Sequence, residues 1–225
     1  VFHRQGSGAW QAEPVPVSGF VTGIWQDGDG HLLLAAGEEL LQRSLTAPSW
    51  SPVPLDNAAI LLELWGLDAE QLFLGGTGGT ILRRVGGNWL RAETPVGTEI
   101  WGFGGTGPDD LVAVGQSGTI LESHDGGATW QAAPSPTTAT LFDVVADGAG
   151  RMVAVGTGGT IVLRDGDSWE LTTSPTTQNL FAVRSDAAGH FFVAGDGGVL
   201  FEGSGLGWQP LLVPAVRENF RAITG

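Results

Sequence analysis

The chain has 225 residues and a mass of 23.3 kDa, enough for one or two ordinary domains with a sizeable core. Glycine fills 37 positions and proline 12 while apolar residues reach 42%, which excludes both a disordered tail and a helical bundle. All ten basic residues are arginines against 24 carboxylates, and the formal net charge of 10 − 24 = −14 weighs against nucleic acid and anionic membrane surfaces as partners.

Taken in chain order, Val1-Phe2-His3-Arg4 reads as a short strand, and Trp10 opens the next. It does not read as a signal peptide, although a removed one is compatible with it. From Trp10 the chain is periodic: Trp50, Trp89, Trp130, Trp169 and Trp208 follow at intervals of 40, 39, 41, 39 and 39 residues. Such spacing lies in the range of propeller blades. Within the periods, Gln71-Leu-Phe-Leu74 precedes Gly75-Gly-Thr-Gly-Gly79, and Leu111-Val-Ala-Val114 precedes Gly115-Gln-Ser-Gly118. The next unit is the most legible: Leu141–Val145, then a turn at Asp147-Gly-Ala-Gly150, Met152–Val155, Gly156-Thr-Gly-Gly159 and Thr160–Leu163. The last full unit repeats the order with Leu180–Val183, Phe191–Ala194, Gly195-Asp-Gly-Gly198 and Val199–Phe201.

These runs are too short for helices and rich in Val, Ile, Phe and Thr, so each unit predicts a four-stranded antiparallel sheet. Its first strand stands at a central channel and its fourth, opened by the marker tryptophan, at the rim. The tryptophans are expected to be mostly buried, with the indole N–H on an acceptor. Five full sets of strands lie between Trp10 and Trp208, and Asn219–Ile223 reads as one more first strand. The two ends thus supply three strands of a sixth blade and no second strand. The expectation is an all-β chain forming a single domain over residues 1–225, a six-bladed propeller with a composite, incomplete closing blade. A start at Val1 without a preceding Gly-x-x-Gly suggests a longer parent; five blades or a larger ring are the alternatives.

At Ser123-His-Asp-Gly-Gly-Ala-Thr-Trp130 the chain matches the pattern Ser-x-Asp-x-Gly-x-x-Trp of the Asp-box. Together with the glycine-rich units, this resembles the BNR-type repeats of the photosystem II assembly factor-like propellers, over nearly the whole chain. The resemblance implies a structural hairpin between third and fourth strands, carried by Ser123, Asp125, Gly127 and Trp130, away from any active site. It also implies an extracytoplasmic setting, which the residues themselves leave unknown. Sialidases share the box, but their tyrosine nucleophile has no counterpart in a chain without tyrosine.

Other chemistries find little purchase. Zero cysteines remove thiolate nucleophiles and cysteine metal ligands, and four scattered histidines argue against a metal site. Asp27-Gly-Asp29-Gly-His31 echoes a calcium loop, yet Leu32 stands where that loop needs glycine, so a hairpin turn is expected. The glycine runs lack the Lys-Ser/Thr of a phosphate loop, so no nucleotide or other cofactor is expected. No run approaches the ~20 apolar residues that cross a bilayer. Glu63, Glu99 and Asp143 fall in or near first strands, and Trp25, Trp65 and Trp101 recur at one stage of successive units. These six are the candidate ligand-binding residues. The expected function is a noncatalytic module that binds or assembles a protein partner. A carbohydrate-binding propeller and a glycoside hydrolase with an acidic channel site are the alternatives.

Overall fold

The computed structural model describes residues 9, 11–46, 49–56, 58–204, 207–211 and 218–222, together with the backbone of residues 2 and 3. Trp10, Asn57 and Ile223 lie outside the described residues. Five four-stranded antiparallel sheets follow one another along the chain, each in simple sequence order. Sheet I holds Val21–Gln26, His31–Ala36, Glu39–Ser44 and Ser51–Val53. Sheet II holds Leu61–Gly66, Leu72–Gly76, Ile81–Val85 and Asn88–Arg91, and sheet III holds Ile100–Gly107, Asp110–Gly115, Ile120–Ser123 and Gln131–Ala132. Leu141–Ala146, Met152–Gly156, Ile161–Arg164 and Trp169–Leu171 make sheet IV. Leu180–Ser185, Phe191–Gly195, Leu200–Gly203 and Trp208–Pro210 make sheet V. Phe2–His3 pairs with Gln11–Ala12 as a separate two-stranded ribbon.

The second strands explain how the sheets stack. Successive side chains on a strand point to opposite faces, and here both faces are apolar. On sheet III, Leu111 and Ala113 pack towards Phe73 and Ile81 of sheet II, while Val112 and Val114 pack towards Leu141 and Val144 of sheet IV. Met152 and Ala154 face sheet III in the same way, and Val153 and Val155 face sheet V. The core is therefore a series of layers between consecutive sheets, the arrangement of propeller blades. Each first strand carries a register shift around its second residue, as between Leu61 and Glu63 or Leu141 and Asp143. The bulge frees that residue from the pairing and turns it outward at the strand end.

The glycine signature closes the hairpin between second and third strands with a single 3-10 turn, Gln116–Gly118 in sheet III. Gly118 sits at a φ of 72°, and a Cβ there would strike the carbonyl of Thr137 in the segment that enters sheet IV. The motif thus serves sheet-to-sheet contact as well as turning. Asp147 caps the turn between first and second strands, accepting from the N–H groups of Ala149 and Arg151, both at 2.9 Å. Asp27 and Asp186 do the same with His31 and His190. The Asp27 segment is accordingly a hairpin turn.

The chain ends pack at the two open sides of this series. Asn219 Oδ1 accepts from the N–H of Gly197 at 2.9 Å, repeating the bond that Asn179 Oδ1 takes from Gly158 at 2.9 Å one unit earlier. Phe220 then donates its N–H to Gly195 O at 3.0 Å. At the other end, Glu13 Oε1 accepts from Trp50 Nε1 at 2.9 Å and pairs with Arg43 Nη1 at 2.8 Å on sheet I.

Candidate functional site

The segments from fourth to first strands and the 3-10 hairpins share one end of the sheets. The second residues of the first strands come together there, Thr22, Leu62 and Trp101 continued by Phe142 and Phe181, and they are joined by Arg221 of the C-terminal segment, which forms no strand over its described residues 218–222. Trp101 meets Phe142 edge-on at 5.9 Å, Phe142 meets Phe181 at 5.2 Å, and the Arg221 guanidinium lies 3.8 Å from the Phe181 ring centre. The bulges put these side chains on a common collar. Beside it opens a groove of about 670 Å³, lined by Phe20, Ile60, Leu62 and Trp101 with the Ala36–Glu39 hairpin as one wall. Phe20 is 92% exposed and Ile60 is 49% exposed.

One residue beyond the collar, Glu63 and Asp143 feel each other's charge together with that of Arg184, although they stand on sheets II, IV and V. Only the common axis brings those three sheets together. Asp143 is well satisfied: Oδ1 accepts from Val144 N–H, and Oδ2 from Val183 N–H at 2.9 Å and Arg184 Nη1 at 3.0 Å. Burial nonetheless pushes its carboxyl above the ordinary value, against the pull of Arg184 and these amides. Glu63 is pushed up to about 8, mainly by burial and further by the Asp143 charge, with Arg184 opposing. Burial thus favours the protonated form of Glu63, beside an Asp143 carboxyl that lies 3.0 Å from Arg184 Nη1.

The six candidate residues therefore separate. Glu63, Asp143 and Trp101 belong to the axis and its collar. Trp65 packs between sheets, its ring 6.0 Å from Phe73 and 6.3 Å from Phe103. Trp25 lines a different cavity of about 400 Å³ with Asp27, Arg43 and Arg84. Glu99 precedes its strand, and its backbone carbonyl accepts from Gln116 N–H at 2.9 Å. Phe20, Ile60, Arg184 and the collar rings of Phe142 and Phe181 were not among the candidates. Aligning the units residue by residue marks Phe20 and Ile60, which are apolar where later units carry Glu99, Thr140 and Asn179.

The Asp-box lies at the opposite end. Ser123 Oγ donates to Asp125 Oδ1 at 2.9 Å and accepts from Gly127 N–H at 3.0 Å. Asp125 also takes the Thr129 N–H at 3.0 Å and its hydroxyl at 2.7 Å. Trp130 donates its indole N–H to Gly127 O at 3.2 Å and packs against Phe73 and Phe103. Trp169 donates to Glu122, but Trp208 corrects the expectation for the markers: its ring is buried and its N–H has no acceptor among the described residues. Trp50 and Trp89 are only partly buried. Among the described residues, no group of three His, Asp or Glu is placed to hold a metal ion, and no helix is long and apolar enough to cross a membrane.

No protein-family model matches the chain, and no curated protein matches it. Solved structures do. YCF48 bound to D1 peptide superposes with a TM-score of 0.70 at 19% identity, over 92% of this chain and 72% of that one. YCF48 from Cyanidioschyzon merolae gives 0.68 at 18% identity, over 90% and 75%. The WD40 β-propeller domain of Doa1 gives 0.74 at 12% identity, over 99% and 78%. At these identities the likeness concerns the fold. The chain is an all-β, propeller-like protein with an Asp-box, and it resembles YCF48 over most of its length.

Proposed function

We propose that this chain is a noncatalytic propeller that binds a protein partner through the collar end of its sheets. The observation that carries the reading is the exposed apolar groove of Phe20, Ile60, Leu62 and Trp101, because solvated apolar surface of this kind marks association sites. The resemblance to a structure of YCF48 holding a peptide supports the same use of the fold. The extracytoplasmic setting belongs to this proposal and rests on that resemblance alone. The carboxylates at the axis support no hydrolase, since Asp143 is engaged by Arg184 and two backbone amides. A lectin reading is weaker, because the cavities at Trp25 and at Trp101 occupy non-equivalent positions with different linings.

We also propose a single six-bladed domain. The repeated Asn219 bond supports the C-terminal segment as the start of a sixth first strand. The ribbon of Phe2–His3 and Gln11–Ala12 supports the third and fourth strands of the same blade. The functional test is affinity capture from the source cells with wild-type protein and Phe20→Ser, alongside a glycan array. Proteins retained by the wild type and lost with the variant are expected. A glycan hit that Trp25→Ala abolishes, with no protein retained, overturns the reading.

A further inference from the structure

The chemistry of the groove, taken with the protein-binding reading above, specifies the segment it accepts. Its lining has two parts. Phe20, Ile60, Leu62 and Trp101 give an apolar floor, and Glu38 and Glu39 stand exposed on the hairpin wall. Neither glutamate joins an ion pair among the described residues, and no arginine or histidine lines the groove. Among the described residues these two carboxylates have no arginine of their own, unlike Asp143 and Asp147. The whole chain, at −14, extends the same sign outward. Its volume of about 670 Å³ is that of a binding cleft rather than a packing defect.

We infer that the groove binds an extended segment of a basic partner protein, with an arginine or lysine against Glu38 and Glu39 and an adjacent apolar side chain over Phe20 and Ile60. An acidic segment meets like charge at the wall and is rejected. A neutral apolar segment uses the floor and leaves two carboxylates facing it without a counter-charge. A basic side chain satisfies both parts, because its aliphatic stem lies along apolar surface while its head reaches the carboxylates. The Trp101 and Phe20 rings add an attractive face for the cation.

The test uses the whole chain and an array of short synthetic peptides whose central residue is Arg, Lys, Ser or Glu within mixed apolar flanks. The tightest peptide is then titrated by fluorescence anisotropy against wild type, Phe20→Ser and the double variant Glu38→Gln/Glu39→Gln. All three positions are exposed, and circular dichroism checks that each variant is folded. Arg- and Lys-centred peptides are expected to dominate. Phe20→Ser is expected to weaken binding on the order of tenfold, the scale of losing an anchor. The double variant is expected to weaken it and flatten its salt dependence. Equal binding of Ser- or Glu-centred peptides, or unchanged binding by both variants, overturns the inference. So does a dimer of the chain that Phe20→Ser dissolves, which makes a second copy the occupant. Proteins captured by the chain, lost with Phe20→Ser and kept by the double variant defeat this inference alone, whereas capture of no protein and no peptide defeats the protein-binding reading as well.

Discussion

Asp125 shows how a single side chain can hold a turn. Its two oxygens receive the N–H and hydroxyl of Thr129 and the hydroxyl of Ser123, and these bonds exist in full only while the carboxylate is charged. The Thr129 N–H, first among them, draws its pKa down to about 2 from an ordinary 3.8. A depressed carboxyl stabilises the folded state above its unfolded value and loses that contribution as pH falls through the folded one. Asp125→Ala is thus expected to melt below the wild type at neutral pH, with the gap closing as the pH approaches about 2. Urea melts across that range check it, and a gap of constant size contradicts the linkage. Trp130, 4% exposed beneath the same turn, supplies packing rather than charge. Its replacement by alanine is expected to cost about 3–5 kcal/mol, with a smaller loss for half-buried Trp89.

Between elements, arginines join what the apolar layers stack. Arg151 pairs with Asp147 at 2.7 Å and donates to Gly189 O at 2.9 Å and Ser204 O at 3.0 Å, tying sheet IV to sheet V. The Asp147 side chain has no exposed surface, so Arg151→Ala strands a buried charge. The expected cost is about 3–5 kcal/mol by denaturant melts, while Asp147→Asn/Arg151→Gln recovers part of it. A loss below about 1 kcal/mol for the single change means the pair is only a surface one. The sheets themselves were legible because their cause is local: the tryptophan period, the apolar runs and the glycine turns each repeat in sequence. Glu63 and Asp143 could be assigned to one stage of the unit for the same reason. The bulge at the second residue of each first strand leaves no mark on that pattern, so the collar of Leu62, Trp101, Phe142 and Phe181 was not visible. Arg184 escaped as well, since its pairing with Asp143 crosses from one unit to another over 41 residues. Trp208 fits the period and still lacks an acceptor among the described residues, where Leu163 stands at the position of the Glu122 that serves Trp169.

At the scale of the molecule, the axis and the open side make separate predictions. Glu63 is held near pKa 8 by burial and by Asp143, against Arg184, whereas an unfolded chain ionises it near 4.5. A raised carboxyl contributes stability in full below the unfolded value and loses it as pH rises through the folded one. Glu63→Gln is therefore expected to gain on the wild type as the pH rises from about 5 to about 9, and parallel melting curves contradict the assignment. The open side concerns Val21 and Ile24, the first and fourth residues of their strand. Their counterparts Leu61 and Leu64, Ile100 and Phe103, Leu141 and Val144, and Leu180 and Val183 are exposed by 4% or less, because the preceding sheet covers them. Val21 is 45% exposed and Ile24 is 50% exposed, although Leu32, Leu34 and Leu41 on the same sheet are covered. Among the described residues the outer part of that face has a neighbour and the inner part does not, as the six-bladed reading proposed above expects where the second strand of the closing blade is wanting. Ile24→Ala in this chain is thus expected to cost less than about 1 kcal/mol, against about 2–5 kcal/mol for Leu64→Ala. Extending the chain by a second-strand sequence copied from Met152–Gly156 completes the blade in the six-bladed reading. Ile24→Ala then becomes nearly as costly as Leu64→Ala, and an unchanged cost in the extended chain rejects closure by a sixth blade.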